Sequence, residues 1–269
     1  MNRHQNIIGL VAGLALAGFM VSTLTGAAAH GAAAALRNRR AAVEDTYTLS
    51  KRVFKVGDVS RYKLNVKANI DGKDAATVSL TFRVTTKSAK PSGEFTLVNE
   101  IETATSTNEG KEQDISAFMP VVTVSRDKAG KVINKSEGGN PQAAEQIANL
   151  LQALATINDA YLPKEPVKIG DKWKVAITNP GNGGGATKAV GEATFADTET
   201  LMGIKSVKLK VVTDLVTENA DEKSHSVSTL NIDPVSGKLL KVSAKAEGTS
   251  MGTKMVRELE LTPLPADTK

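Results

Sequence analysis

Alternation of apolar and polar residues organises most of this chain. Tyr62, Leu64, Val66, Ala68 and Ile70 take turns with Arg61, Lys63, Asn65, Lys67 and Asn69. A period of two places the first set on a dry strand face and the second on a wet one. Asp71-Gly72-Lys73 is a turn signal, and the return strand carries Val78, Leu80, Phe82 and Val84 on one face. Lys90-Pro91-Ser92-Gly93 turns again, into Phe95, Leu97, Asn99 and Ile101; Asn108-Glu109-Gly110 marks a third turn. Residues 118–124 are more continuously apolar, and residues 127–130 form a tight turn into Val132-Ile133. The second half repeats the scheme, with strands predicted over about 172–178, 187–195, 206–217, 224–232, 239–246 and 254–261. Short strands at this spacing suit an antiparallel meander.

Between the two series the period changes to that of a helix. Ile147, Leu150, Leu151, Leu154 and Ile157 fall three or four apart and form one apolar stripe. Asn140 can cap this helix, and Pro141 suits its first position, where no backbone donor is needed. Leu162, Pro163 and Pro166 stop it, and Gly170-Asp171 turns the chain into the next extended segment. Strands with one apolar face must cover that face, and the helix stripe is the candidate cover.

The pattern therefore predicts a mainly β (α+β) fold: an antiparallel curved sheet or half-barrel with one covering helix at about 141–160. A β-sandwich with a peripheral helix is the alternative. Lys55-Val56-Gly57-Asp58 is echoed by Lys168-Ile169-Gly170-Asp171, and the turn at 127–131 by the turn at 233–238. The echo fits two similar halves made by duplication, and equally fits reuse of good turn chemistry. The expected divisions are a signal peptide at 1–29, a flexible lead-in at 30–47, a β-rich half at 48–139, helix and connector at 140–166, and a second β-rich half at 167–265.

The signal peptide rests on Arg3 and His4, the apolar run 7–24, and small residues from Gly26 to Ala35. Ala27-Ala28-Ala29 offers a cleavage site, and Ala33-x-Ala35 a second one. The competing reading is an uncleaved anchor, since residues 7–29 are long enough to span a bilayer. On either reading the bulk of the chain is exported, to the periplasm or beyond the cell, and after cleavage no stable membrane span remains.

Composition narrows the chemistry. The net charge is +5, from 34 basic and 29 acidic residues with the signs interspersed, and aromatic content is 4%. A solvated surface accounts for that balance, and no nucleic-acid platform is expected. There are no cysteines, which excludes disulfides, thiolate metal sites and a cysteine nucleophile. Of the histidines, His4 leaves with the signal, His30 sits at the new terminus, and His225 has no local acid–base partner in its segment. Neither a histidine triad nor a multi-histidine zinc site is expected. Glu100 and Glu102 share one strand face, as do Glu258 and Glu260; the apolar residue between each pair turns the acids to water. Residues 179–185 resemble a phosphate loop in glycine content alone, because they open into a strand and lack a Gly-Lys-Ser/Thr ending. No catalytic residue, metal or cofactor is assigned. Tyr161 and Trp173 are the two candidates to line a ligand mouth, with core packing as their ordinary role.

Leu162-Pro163-Lys164-Glu165-Pro166-Val167-Lys168-Ile169-Gly170-Asp171-Lys172-Trp173, preceded by an apolar helix and a D-x-x-G-K turn, resembles a segment of bacterial exported β-rich proteins of uncharacterised function. The resemblance covers about residues 120–180 and implies no catalytic residue. More loosely, a curved sheet around a helix is similar to the half-barrels of periplasmic lipoprotein carriers, although the dense aromatic lining suited to an acyl-chain cavity is missing here. The expected function is a non-enzymatic envelope or secreted module that holds a hydrophobic ligand or an envelope protein in its concave sheet. A structural or assembly role through sheet edges is the first alternative, and a hydrolase the second.

Overall fold

The computed structural model describes residues 45–108, 110–119, 121–127, 132–137, 161–179, 187–217, 223–250 and 253–265. The expected signal peptide, covering helix and glycine-rich loop lie outside these residues. The strands are β1 (Val59–Ile70), β2 (Lys73–Ala89), β3 (Phe95–Asn108), β4 (Lys111–Asp114), β5 (Val122–Arg126), β6 (Val132–Glu137), β7 (Lys172–Asn179), β8 (Thr187–Leu201), β9 (Ile204–Thr217), β10 (Lys223–Ile232), β11 (Leu239–Ser250) and β12 (Thr253–Leu264). One 3-10 turn, Ser116–Phe118, interrupts the stretch read as continuously apolar.

All twelve strands belong to one antiparallel sheet, ordered β6-β5-β3-β2-β1-β12-β11-β10-β9-β8-β7, with β4 paired to β3 off that path. The sheet is open and not closed into a barrel, so a single sheet replaces the two-sheet sandwich. The two sequence halves join through their most distant strands: β1 pairs with β12, setting Leu64 opposite Leu261 and Val66 opposite Leu259. The outer edges, β6 and β7, are consecutive in sequence, so residues 138–171 connect opposite ends of the strand order.

Alternation does what the pattern predicts. Tyr62, Leu64, Val66 and Ala68 of β1 are buried, and so are Leu80, Phe82 and Val84 of β2. One core cluster runs from Leu97 on β3 to Val175 on β7. Long twisted sheets of this kind tend to curl toward one side.

Residues 45–56 form a strap over one end of this curl. Tyr47 exchanges two backbone hydrogen bonds with Val167, of 2.8 and 2.9 Å, and its ring meets Phe195 edge-on at 5.3 Å. Farther along, Ser50 N–H donates to the Pro234 carbonyl and Val53 N–H to that of Ser236, before Phe54 stacks on Phe95 at 3.9 Å. The strap passes so close to Gly237 that a Cβ there would lie 2.5 Å from Arg52 N. It thus ties β8, the β10–β11 turn and β3 together at one level.

Candidate ligand-binding face

The two residues picked from sequence are brought together. The Trp173 indole Nε1–H donates to the Tyr161 carbonyl at 2.9 Å, which fixes where the connector meets the first residues of β7. Tyr161 is buried, and burial pushes its phenol up to about 12 because the ionised form loses hydration. Trp173 is half-buried and packs against the core cluster. Both sit under the strap end: Val167, which pairs with Tyr47, lies between them in sequence. Tyr62 is the third tyrosine on this face; its hydroxyl donates to the Leu239 carbonyl at 3.0 Å, and burial is the main cause raising its pKa.

The face is apolar but not uniformly so. Arg126 follows Val122 and Val124 on β5 with the same orientation and is 3% exposed; burial holds its guanidinium below the usual value. Arg257 faces Ala68 on β1 and Ala246 on β11, two small neighbours that leave room for its side chain. Asn99 is buried and donates to the Val122 carbonyl at 3.2 Å. Asn99 shares a face with Phe95, Leu97 and Ile101 by alternation alone, but Arg126 and Arg257 read as solvent-facing. The register, which only the fold supplies, turns them inward.

The outer face accounts for the remaining acids and the histidine. His225 lies opposite Asp214 of β9, with Nδ1 to Oδ1 at 2.8 Å. The absence of a local partner in the sequence is therefore corrected by cross-strand pairing. The pair is exposed, with the geometry of a surface ion pair. Glu102 does not turn freely to water: it occupies the bulge opposite Thr81 and Phe82, between Arg61 at 2.6 Å and Arg83 at 3.0 Å. Glu258 and Glu260 are exposed. Among the described residues no group of three His, Cys, Asp or Glu side chains could hold a metal ion. Among the same residues no helix is long and apolar enough to cross a membrane, which says nothing of a β-barrel.

No protein-family model matches the chain, and no curated protein matches it. Solved structures do show likenesses. A lipovitellin structure concerned with lipid–protein interactions is 11% identical, with a TM-score of 0.47 over 81% of this chain and 26% of that one. This chain thus spans about a quarter of that protein. An exported protein with a YmcC-like fold from Bacteroides fragilis is 14% identical, with a TM-score of 0.28 over 81% of this chain and 100% of its own. The hypothetical lipoprotein YmcC from Escherichia coli is 10% identical, with a TM-score of 0.26 over 76% of this chain and 87% of its own. At these values the likenesses establish neither a family nor an activity.

Proposed function

We propose that this chain is an exported, non-catalytic binding protein whose inner sheet face receives a hydrophobic ligand. The observation that carries the proposal is the open sheet. β6 and β7 end the strand order without pairing to each other, so entry of a guest would not require a strand ladder between them to break. Ligand sites of this kind are mostly apolar with a few placed polar groups. The cluster from Leu97 to Val175 supplies the apolar surface, and Asn99, Arg126 and Arg257 supply the polar points. Tyr161 and Trp173, linked at the strap end, are the proposed rim of the site. Export rests on the charged, apolar, small-residue order at the N-terminus. A non-catalytic role is supported by the exposure of His225, Glu258 and Glu260 and by the pairing of Glu102 with Arg61 and Arg83.

Native mass spectrometry and organic extraction of the protein recovered from the exported fraction of its own cells test this reading. A co-purifying apolar molecule released by solvent is the expected result. A clean ligand-free mass, with nothing extracted, would end it. The second reading, assembly through strand addition, is favoured by β7, an eight-residue strand that among the described residues is paired on one side only. Light scattering separates the two: a carrier runs as a monomer, an assembly element as an oligomer.

A further inference from the structure

The exposed apolar side chains are unevenly distributed. Among the described residues, six of the nine large ones (Val53, Val56, Val59, Ile169, Met202 and Val235) lie at the strap end. Val53 and Val56 belong to the strap and its turn, Ile169 to the second Lys-x-Gly-Asp turn, Met202 to the β8–β9 turn, and Val235 to the β10–β11 turn. Val53 and Val235 are neighbours, since Val53 N–H donates to the Ser236 carbonyl at 2.9 Å. Among the described turns of the opposite end, Asp71-Gly72 presents no such side chain, and residues 180–186, 218–222 and 251–252 lie outside the described residues.

The strap itself is basic. Lys51-Arg52-Val53-Phe54-Lys55-Val56 carries three bases and no acid. Asp58 follows in the next turn, and three other nearby acids are engaged locally. Asp171 Oδ2 accepts from Lys168 N–H, Asp233 Oδ1 accepts from Val235 N–H, and Asp45 faces Lys205 at 3.3 Å. In sequence the strap follows Arg37, Arg39 and Arg40, with Glu44 and Asp45 between them and Tyr47, and lies downstream of the apolar run 7–24.

We infer that the strap end docks on an anionic phospholipid membrane. Single aliphatic tips on separate turns, interleaved with bases, suit a fluid interface that moulds around each tip; a protein partner would need a contiguous, shape-matched patch. Bases near an anionic leaflet add electrostatic attraction, and their stems lie along the boundary while the charges stay in water. The inference goes beyond ligand binding and does not require it, because none of these tips belongs to the inner face.

The cysteine-free chain allows a direct test on the whole protein. Single-cysteine variants Val235→Cys and Val190→Cys carry an environment-sensitive fluorophore and are mixed with vesicles of equal parts phosphatidylcholine and phosphatidylglycerol. The expected result is a blue-shifted, several-fold brighter signal at position 235, quenched by lipids with a quencher at the glycerol level, and no response at 190. Replacing Lys51 and Lys55 by Gln should weaken that response about thirtyfold on anionic vesicles. Adding salt to the unsubstituted lysine background should weaken it likewise, a control that needs no further substitution. Silence at position 235, or equal responses at 235 and 190, would overturn the inference, as would binding indifferent to lipid charge.

Discussion

Superposing the strand ladders of the two halves, rather than their sequences, reveals how alike they are and where they part. Gly57 N–H donates to the Thr86 carbonyl, Thr86 N–H to that of Asp58, and Asp58 N–H to that of Lys55. Gly170, Phe195, Asp171 and Lys168 make the same three bonds in the same order. Both glycines have φ near +90°, at 86° and 95°, a conformation that costs glycine little. Downstream, β2–β3 shifts register between Thr86 and Ser88, and β8–β9 between Phe195 and Asp197. A third coincidence is the shift at Ser125/Arg126 in β5–β6 and at Asn231/Ile232 in β10–β11. Bulges are specific features of a fold, so two in matching places, beside the matching turn bonds, argue for similar halves more strongly than the shared turn residues do.

The aligned inner positions then differ in kind. Ser60, Thr86, Asn99 and Arg126 in the first half correspond to Trp173, Phe195, Val211 and Ile232 in the second. One copy keeps a polar inner corner and the other an apolar one.

Swapping the corners breaks the comparison most severely. Ile232→Arg places a charge where no exposure is available, and should destabilise by about 4 kcal/mol in urea unfolding read by Trp173 emission. Arg126→Ile should stay within about 2 kcal/mol of wild type, because the twin position shows that isoleucine suits the slot. Equal costs would mean that the two corners are not equivalent.

The second contrast is between Phe82 and Gly191, which occupy matching places opposite Tyr62 and Val175. The bulge at Glu102 relieves the ladder beside Phe82. No such bulge exists in β8–β9, and a Cβ at Gly191 would lie 1.9 Å from the Val212 carbonyl oxygen. Gly191→Ala should therefore cost about 3 kcal/mol by thermal unfolding, whereas Phe82→Leu, which keeps most of the volume, should cost less than about 2 kcal/mol.

Alkaline pH sharpens the comparison further. Tyr161 is held neutral by burial, with its pKa raised from 10.0 to about 12. A group whose folded pKa is raised contributes stability that is complete below the unfolded value and is lost as pH rises through the folded one. Between about pH 10 and 12 wild type should lose roughly 2–3 kcal/mol that Tyr161→Phe retains. Parallel curves for the two proteins in alkaline urea titrations would contradict the burial of this phenol.

The smallest effect separates the twin turns. Asp171 Oδ2 accepts from Lys168 N–H at 2.8 Å, an added clasp that Asp171→Ala should remove at a cost of about 1 kcal/mol. Asp58→Ala should cost about half as much by the same thermal melt, as substitutions of exposed side chains usually do.

How much of this was legible beforehand follows from which interactions are local. Strands β1 to β3 and β7 to β12 could be placed from alternation alone, because a side-chain period of two survives in single segments such as Tyr62 to Ala68. The four-residue β4 has no such pattern to detect. The pairing of β1 with β12 was hidden, since nothing in either strand names its partner across the whole chain. The same limit hid Asp214 beside His225 and the inward turn of Arg126. Trp173 and Tyr161 were candidates because a sole tryptophan and a proline-bounded tyrosine stand out in a chain poor in aromatics. Their mutual hydrogen bond needed the fold.

The central claim is that the inner face between the two corners receives an apolar guest. Titration with a brominated fatty acid tests it directly, because bromine quenches indole emission only at close range and Trp173 is the sole tryptophan. Saturable quenching, reversed by the unbrominated acid and weakened in Tyr161→Ala, is the predicted result. Undiminished Trp173 emission up to the solubility limit of the acid would contradict the account.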